Sequence, residues 1–158
     1  MRNIYFIIFY FFIYSSALSQ NILNNNSNQV PKNIYNWQVI RVLDGDTMEI
    51  VNEFLPDELR LYVRVKGIDT PEKAPRAKCI KESMLAIKAT NFTKSLIDNA
   101  QKNNDSIDFS DIKWDKYGGR ILANVYINDI DLGKELIKKK LAKPYDGKQK
   151  LDWCSINK

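Results

Sequence analysis

Acidic and basic side chains that could act together on a phosphate group occur in two short stretches of the chain. Asp44–Thr47 reads Asp-Gly-Asp-Thr, and Arg64–Glu72 contains an arginine, an aspartate and a glutamate around a Thr-Pro turn. Carboxylate oxygens suit Ca²⁺, glutamate can accept a proton, and arginine can form paired hydrogen bonds with phosphate. These residue types therefore indicate metal-assisted hydrolysis of a phosphodiester.

Two aspartates are the candidate metal ligands. Asp46 and Asp69 each lie at the end of a strand-like segment, and the backbone carbonyl of Thr70 follows directly. Calcium binds about six to eight oxygens, including carboxylates, carbonyls and waters. Two aspartates and one carbonyl would therefore leave positions for water and a phosphate oxygen.

Acid–base chemistry would have to proceed without histidine, because the chain contains none. Glu72 could take a proton from a water activated by the metal, as a general base. Arg64 and Arg120 could each donate two hydrogen bonds to phosphate oxygens and stabilise a phosphorane-like transition state, which lysine does less well.

Each motif taken alone has a simpler interpretation. Asp-Gly-Asp is common as a hairpin turn, and Thr-Pro-Glu is typical of a loop or the first turn of a helix. Arg64 could form a surface ion pair with Asp69 or Glu49, and Arg120 could begin an exposed strand. The catalytic interpretation depends on all of these residues occurring together.

The elements that must position these residues follow from the hydrophobic pattern. Alternation and β-branched residues predict strands, and a period of three to four residues predicts helices. Five strands are predicted, at about residues 37–42, 47–51, 59–66, 106–114 and 121–127. A helix between the third and fourth strands is the order of an OB-type barrel, which binds oligonucleotides across one face. The predicted fold class is α+β: a five-stranded OB-type β-barrel with about three helices.

Two of the helices can be placed from the sequence. Residues 79–99 carry an apolar stripe formed by Leu85, Ala89, Phe92 and Leu96, which should cover the core. Asp131 can cap a second helix that runs to about residue 140.

The amino terminus has the three parts of a secretory signal peptide. Arg2 precedes an apolar run, and Ala17 and Ser19 form a small-x-small processing site. Residues 1–19 are therefore predicted to be a signal peptide, with an uncleaved membrane anchor as the alternative. Residues 20–36 are asparagine-rich and predict a polar linker, and residues 37–158 form one predicted domain.

Charge and cysteine content add two expectations. The chain has 24 basic and 19 acidic side chains, a modest excess that suits a polyanionic partner without requiring one. Cys79 and Cys154 lack the companions of a zinc site. In an exported protein such a pair favours a disulfide, which would tie the carboxyl-terminal tail to the body, although two free thiols are the alternative.

Three motifs in order resemble the staphylococcal nuclease (thermonuclease) family of exported bacterial proteins. They are Asp-Gly-Asp-Thr at 44–47, Arg-x-x-x-x-Asp-Thr-Pro-Glu at 64–72 and Asp-Lys-Tyr-Gly-Gly-Arg at 115–120. The resemblance covers roughly residues 37–145. The late cysteine, in Asp-Trp-Cys, is similar to that of members that pair it with one after the Thr-Pro-Glu turn, which supports a Cys79–Cys154 bridge.

The resemblance implies a function and a role for each site residue. Members cleave DNA and RNA endonucleolytically with Ca²⁺ and leave 3′-phosphates. An exported monomer with no stable protein partner is expected, and a catalytically inactive OB-type nucleic-acid-binding module is the alternative. The implied metal ligands are Asp46, Asp69 and Thr70, the catalytic residues are Arg64, Glu72 and Arg120, the substrate-binding residues are Lys116, Tyr117 and Tyr145, and Asp44 supports the site from behind.

Overall fold

The computed structural model describes residues 33–52, 55–56, 58–116 and 118–155. The predicted signal peptide at 1–19, linker residues 20–32 and the candidate substrate-binding residue Tyr117 lie outside the described residues. Neither helix in the described part of the chain is long and apolar enough to cross a membrane.

Five strands of five to eight residues form the framework of the fold, and four shorter strands accompany them. In chain order the described elements are β1 (Ile34–Asn36), β2 (Gln38–Asp44), β3 (Thr47–Val51), β4 (Leu61–Val65), β5 (Ile68–Asp69), α1 (Ile80–Asn103), β6 (Ile107–Trp114), β7 (Arg120–Ile127), β8 (Ile130–Asp131), α2 (Leu132–Lys138) and β9 (Lys143–Pro144). The long helix lies between the third and fourth long strands, as predicted. The α+β, OB-type prediction is therefore confirmed, with two helices in the described residues.

The long strands pair into one curled sheet in the order β1-β6-β7-β4-β3-β2. Strands β4 and β7 run parallel, and the other neighbours in this order are antiparallel. A parallel pair needs a long connection, which the segment containing α1 and β6 provides. This pairing places Tyr62 opposite Arg120 and Arg64 opposite Leu122, so the two candidate catalytic arginines come from neighbouring strands.

Alternate side chains of β4 and β7 are buried in the core, and the side chains between them lie on the opposite face of the sheet. Val63 and Val65 of β4 and the odd-numbered residues of β7 from Ile121 to Ile127 are buried in the core. Successive side chains of a strand point to opposite faces, so Arg64 lies on the face opposite the two valines. The predicted alternation in β4 is confirmed at these positions.

Three residues at the end of the predicted linker form an edge strand. Ile34–Asn36 pairs with β6, and Tyr35 stacks on Trp37 with ring centroids 5.1 Å apart. Trp37 in turn contacts Phe109, whose side chain is fully buried. The folded unit therefore begins before Trp37, the predicted start of the domain.

The helix α1 covers the core as predicted, and Phe92 and Leu96 pack against the core, but its most buried face is rotated from the predicted stripe. Ala89 is buried as expected, but Leu85, Phe92 and Leu96 are only half-buried. The buried face instead carries mostly small residues, namely Glu82, Ala86, Ala89, Thr93, Ile97 and Ala100. Small side chains allow the helix to lie close to the sheet, and the large apolar residues pack along its flanks.

Two features complete the carboxyl-terminal part. Asp131 caps α2 as predicted, because its side chain accepts a hydrogen bond from the backbone N–H of Lys134. The predicted disulfide is present: Cys79 and Cys154 are bridged, with their Cα atoms 6.0 Å apart. The bridge ties the tail to the residue that immediately precedes α1.

Candidate active site

The turn between β2 and β3 carries the first candidate ligand, Asp46. Gly45 in this turn lies so close to α1 that an added Cβ would be 2.6 Å from the Cβ of Ala89. The hydroxyl of Thr93 also donates a 2.6 Å hydrogen bond to the Gly45 carbonyl. The helix therefore holds this turn in place, and the Asp46 carboxylate is buried.

Hydrogen bonds fix the orientation of the Asp46 carboxylate. Its Oδ2 accepts a hydrogen bond from the backbone N–H of Thr70 at 3.2 Å, and its Oδ1 accepts one from the Thr47 hydroxyl at 3.0 Å. Burial raises the pKa of Asp46 above its ordinary value, although the Arg64 guanidinium and these hydrogen bonds act in the opposite direction. The carboxylate is thus pre-oriented in a place that disfavours an uncompensated negative charge.

Arg64 joins the two candidate ligands. Its Nη2 lies 2.9 Å from Asp46 Oδ2 and 3.0 Å from Asp69 Oδ1. Burial by itself would lower the pKa of Arg64, but the charges of Asp46 and Asp69 outweigh it and the pKa is raised. The pairing with Asp69 is the simpler alternative considered for Arg64, and here it forms part of a buried three-residue cluster.

Strand β5 places Asp69 in this cluster and also pairs with β9, which follows α2. Asp69 pairs with Lys143 of β9, and the backbone N–H of Tyr145 donates to the Gly67 carbonyl at 2.9 Å. The carboxyl-terminal tail therefore leaves β9 directly beside the cluster.

Glu72 lies on the loop between β5 and α1, with its carboxylate held by two cations. Its Oε1 is 2.6 Å from Lys150 Nζ, and its Oε2 is 3.0 Å from Arg76 Nε. Partial burial favours a raised pKa at Glu72, but Lys150 and Arg76 outweigh it and the pKa is lowered. Glu72 is therefore ionised at neutral pH, as a general base must be.

A buried glutamate supports the backbone of the same loop. Glu82 of α1 accepts hydrogen bonds from the N–H groups of Glu72, at 3.3 Å, and Lys78, at 2.7 Å. These bonds hold both ends of the loop segment that begins at Glu72 against the first turn of the helix.

Asp44 supports the loop from the other side. Its carboxylate lies 3.3 Å from Lys73 Nζ and 3.7 Å from Arg76 Nη2. Since Arg76 also contacts Glu72, Asp44 is connected to the candidate base through one cation.

Three further predicted residues, Lys116, Arg120 and Tyr145, line one cleft of about 1080 Å³. Arg120 lines it, and its guanidinium is held by the mostly buried carboxylate of Asp115, with Nε to Oδ2 at 2.7 Å. Lys116 and Tyr145 also line the cleft, and Lys116 Nζ donates to the Gly147 carbonyl at 3.4 Å. Predicted residues that line the same cleft include Asp44, Asp46, Arg64, Thr70, Glu72, Lys116, Arg120 and Tyr145.

Sequence reasoning missed three residues that contact Glu72, which are Arg76, Glu82 and Lys150. Arg76 could have been found, since it lies four residues after Glu72, a spacing at which ion pairs form within a helical turn. Lys150 lies 78 residues from Glu72 in the sequence. The one signal that connected the two regions was the expected disulfide.

Comparison with known proteins shows what the chain is similar to. A family model described as staphylococcal nuclease homologue matches residues 62–153, which include Arg64, Glu72, Arg120 and Lys150. The thermonuclease of Staphylococcus hyicus is 33% identical over 107 residues. Those residues are 68% of this chain and 54% of that protein, so the chain spans about half the length of the curated relative it matches.

Proposed function

Because the chain belongs to the staphylococcal nuclease family, we propose that it is a calcium-dependent endonuclease that hydrolyses phosphodiester bonds of DNA and RNA. The observation that carries this proposal is the shared cleft. Two converging carboxylates, an ionised glutamate and two arginines on neighbouring strands line it or contact its lining. With a bound metal ion, these groups are enough for in-line hydrolysis of a phosphodiester without histidine.

The donor set fits a calcium ion. Oxygens of Asp46 and Asp69 both lie within 3.0 Å of one Arg64 nitrogen, so the two carboxylates converge on one point. Both are buried, and Arg64 is the nearby cation that balances their charge in this structure. We propose that these two residues and the Thr70 carbonyl would hold the ion. Among the described residues, no group of three or more His, Cys, Asp or Glu side chains is placed to hold a metal, so water and phosphate oxygens would supply the other ligands.

The protein's own groups would perform the proton transfer and charge stabilisation. Calcium bound here would supply positive charge to a phosphate oxygen and increase the acidity of a neighbouring water. Glu72 would accept the proton of the attacking water, since its carboxylate is ionised and lines the cleft. Arg64 and Arg120 would donate to phosphate oxygens as negative charge develops on them.

Substrate selection follows from the same cleft. Lys116 lies near its rim and would contact the phosphate backbone, and Tyr145 would lie against a base or sugar. Tyr117 is proposed for the same role on sequence alone. These contacts are to groups common to DNA and RNA, so we propose that both nucleic acids are cleaved, leaving 3′-phosphates. The affinity for either nucleic acid should fall as the salt concentration rises.

The amino-terminal pattern extends the proposal to location. We propose that residues 1–19 direct export and are removed, and that the exported protein acts as a monomer. The Cys79–Cys154 disulfide supports the proposed export, because disulfides persist in oxidising compartments.

Cleavage of single-stranded DNA and RNA by the purified protein tests the function. Activity should appear with calcium, disappear with a chelator, and yield products with 3′-phosphate ends. Glu72→Gln and Arg64→Ala should each lower kcat about 100- to 1,000-fold, the usual cost of removing a pre-placed stabilising group. The matched controls, Glu58→Gln and Arg60→Ala, replace residues outside the cleft and should keep near-normal activity.

The outcomes separate nuclease from binding module. Calcium-dependent cleavage that both site variants lose supports the proposal. Binding of DNA with no cleavage under any calcium concentration would instead assign the inactive binding function. Full activity in Glu72→Gln would show that another group accepts the proton.

A further inference from the structure

The carboxyl-terminal tail places an ammonium group inside the carboxylate cluster. Lys150 Nζ lies 2.6 Å from Glu72 Oε1 and 2.9 Å from Asp69 Oδ1. Burial would lower the pKa of Lys150, but the hydrogen bonds to Glu72 and Asp69 outweigh it and the pKa is raised. One nitrogen thus contacts both the candidate base and a candidate metal ligand.

Several contacts fix the part of the tail that follows Lys150. Cys154 is bridged to Cys79, and Trp153 is buried with Lys143 Nζ 4.4 Å from its ring centroid. The Asp152 carboxylate accepts hydrogen bonds from the backbone N–H groups of the two residues that follow Trp153, and its backbone carbonyl accepts one from Lys143 Nζ. The tail is therefore an anchored part of the fold.

We propose that Lys150 is a positioning residue that fixes the carboxylate of Glu72 in the cleft. This inference rests on the proposed role of Glu72 as the base. The two Glu72 oxygens are held separately: Oε2 by Arg76 and Oε1 by Lys150. Arg76 is 69% exposed, so it provides the weaker restraint, and Lys150 contributes the second point that stops the carboxylate from rotating.

The contact with Asp69 gives Lys150 a second effect on geometry. Because one nitrogen lies within 3.0 Å of both carboxylates, it limits the distance between the base and the cluster formed by Asp46, Asp69 and Arg64. Without Lys150, the carboxylates of Glu72 and Asp69 would move apart, because two negative charges repel each other. Lys150 therefore sets where Glu72 stands relative to the reacting phosphate.

The anchoring of the tail distinguishes this role from an inhibitory one. An inhibitory strap must leave the site, whereas the tail is held two to four residues beyond Lys150 by the Asp152 hydrogen bonds, the buried Trp153 and the Cys154 disulfide. A fixed ammonium group is suited to positioning, because a misplacement of about 1 Å can lower a rate on the order of 100-fold.

Three variants test the proposal with two independent measurements. Lys150→Met removes the charge at similar length, Lys150→Arg keeps it, and Lys148→Met is the control, since Lys148 is 85% exposed and pairs with Asp146. The first measurement is kcat and KM on single-stranded DNA at saturating calcium. The second is NMR relaxation of the Glu72 side-chain and backbone signals, which does not depend on activity.

The expected result is a kcat lowered about 10- to 100-fold in Lys150→Met with KM within about twofold, because an interaction needed for the chemical step is lost. Lys150→Arg should recover most of kcat, and Lys148→Met should match the wild type. Glu72 should gain motion only in Lys150→Met, while circular dichroism confirms an intact fold.

Other outcomes would overturn the inference. A raised kcat in Lys150→Met would show that the tail inhibits, and a raised KM with unchanged kcat would show that Lys150 only binds substrate. Unchanged Glu72 motion in Lys150→Met would also reject positioning. If the wild type does not cleave DNA but Glu72 loses order in Lys150→Met, the proposed function fails while the positioning role stands.

Discussion

Removal of the Cys79–Cys154 disulfide should destabilise the whole domain by about 4 kcal/mol. The bridge joins residues 75 apart in sequence, and the chain-entropy relation gives about 4.5 kcal/mol for a loop of that length. The variant Cys79→Ser/Cys154→Ala limits secondary effects, because Cys79 is the N-cap of α1 and its sulfur accepts a hydrogen bond from Glu82 N–H. Serine can replace that cap, a contribution of up to about 1 kcal/mol.

Urea unfolding provides the measurement. Far-UV circular dichroism follows α1, and tryptophan fluorescence, measured in a Trp37→Phe/Trp114→Phe background, follows Trp153 beside the bridge. With a slope of about 1–3 kcal/mol per molar urea, a loss of 4 kcal/mol lowers the midpoint by roughly 1.3–4 M. The wild type with reductant should match the variant without it, and reductant should not change the variant further.

Two results would refute this reasoning. A loss below about 1 kcal/mol would mean that the denatured chain is restricted in other ways. A fluorescence change at low urea, with α1 unfolding at the wild-type midpoint, would mean that the bridge stabilises the tail alone. The first result would mean that the bridge adds little to the stability of the domain, and the second that it holds the tail without stabilising α1.

Three further predictions concern groups around the cleft. With a chelator present, Asp46→Asn should raise the melting temperature at pH 7 and lose that advantage near pH 3.8. The reason is that the pKa of Asp46 is raised in the folded state, so the wild type loses stability as the pH increases and Asp46 ionises. Equal effects of the substitution at both pH values would contradict this. Gly45→Ala should cost about 1–3 kcal/mol in urea unfolding through overpacking against Ala89, and Ala89→Gly should recover part of it, whereas a neutral Gly45→Ala would show that the turn can move. Asp115→Ala should lower kcat about tenfold by releasing the Arg120 guanidinium, and unchanged kinetics would mean that Arg120 is held adequately by its other contacts.

Local sequence patterns predicted the parts of the fold that depend on neighbouring residues. Alternation in β4 placed Val63 and Val65 in the core and Arg64 on the opposite face. Asp131 capped α2 as expected, and the chain between the third and fourth long strands formed the predicted helix. In each case the relevant interaction lies within a few residues of the pattern that predicts it.

The buried face of α1 could not be predicted in this way. The apolar pattern selected Leu85, Phe92 and Leu96 together with Ala89, because these residues recur at steps of three and four along the helix. The helix instead presents Ala89 to the β2–β3 turn, where Gly45 allows contact that a larger residue would prevent. Close approach favours small residues, and only the tertiary arrangement shows where that approach occurs.

For the candidate site too, local motifs identified some residues, whereas other contacts depend on the tertiary fold. The motifs at 44–47, 64–72 and 115–120 identified residues that the structure gathers around one cleft. They gave no indication that Glu82 holds the backbone of Glu72 or that Lys150 reaches it from the tail. Those contacts depend on where the disulfide and β9 bring the chain, which no short motif encodes.

Charge balance explains why such distant parts of the chain meet at the site. Three carboxylates stand close together at Asp46, Asp69 and Glu72, and their mutual repulsion opposes folding unless cations are brought to them. Arg64 comes from β4 and Lys150 from the bridged tail, so the charges are balanced by segments that fold together. Substituting Asp46 should therefore raise stability and lower activity, whereas substituting Arg64 or Lys150 should lower both.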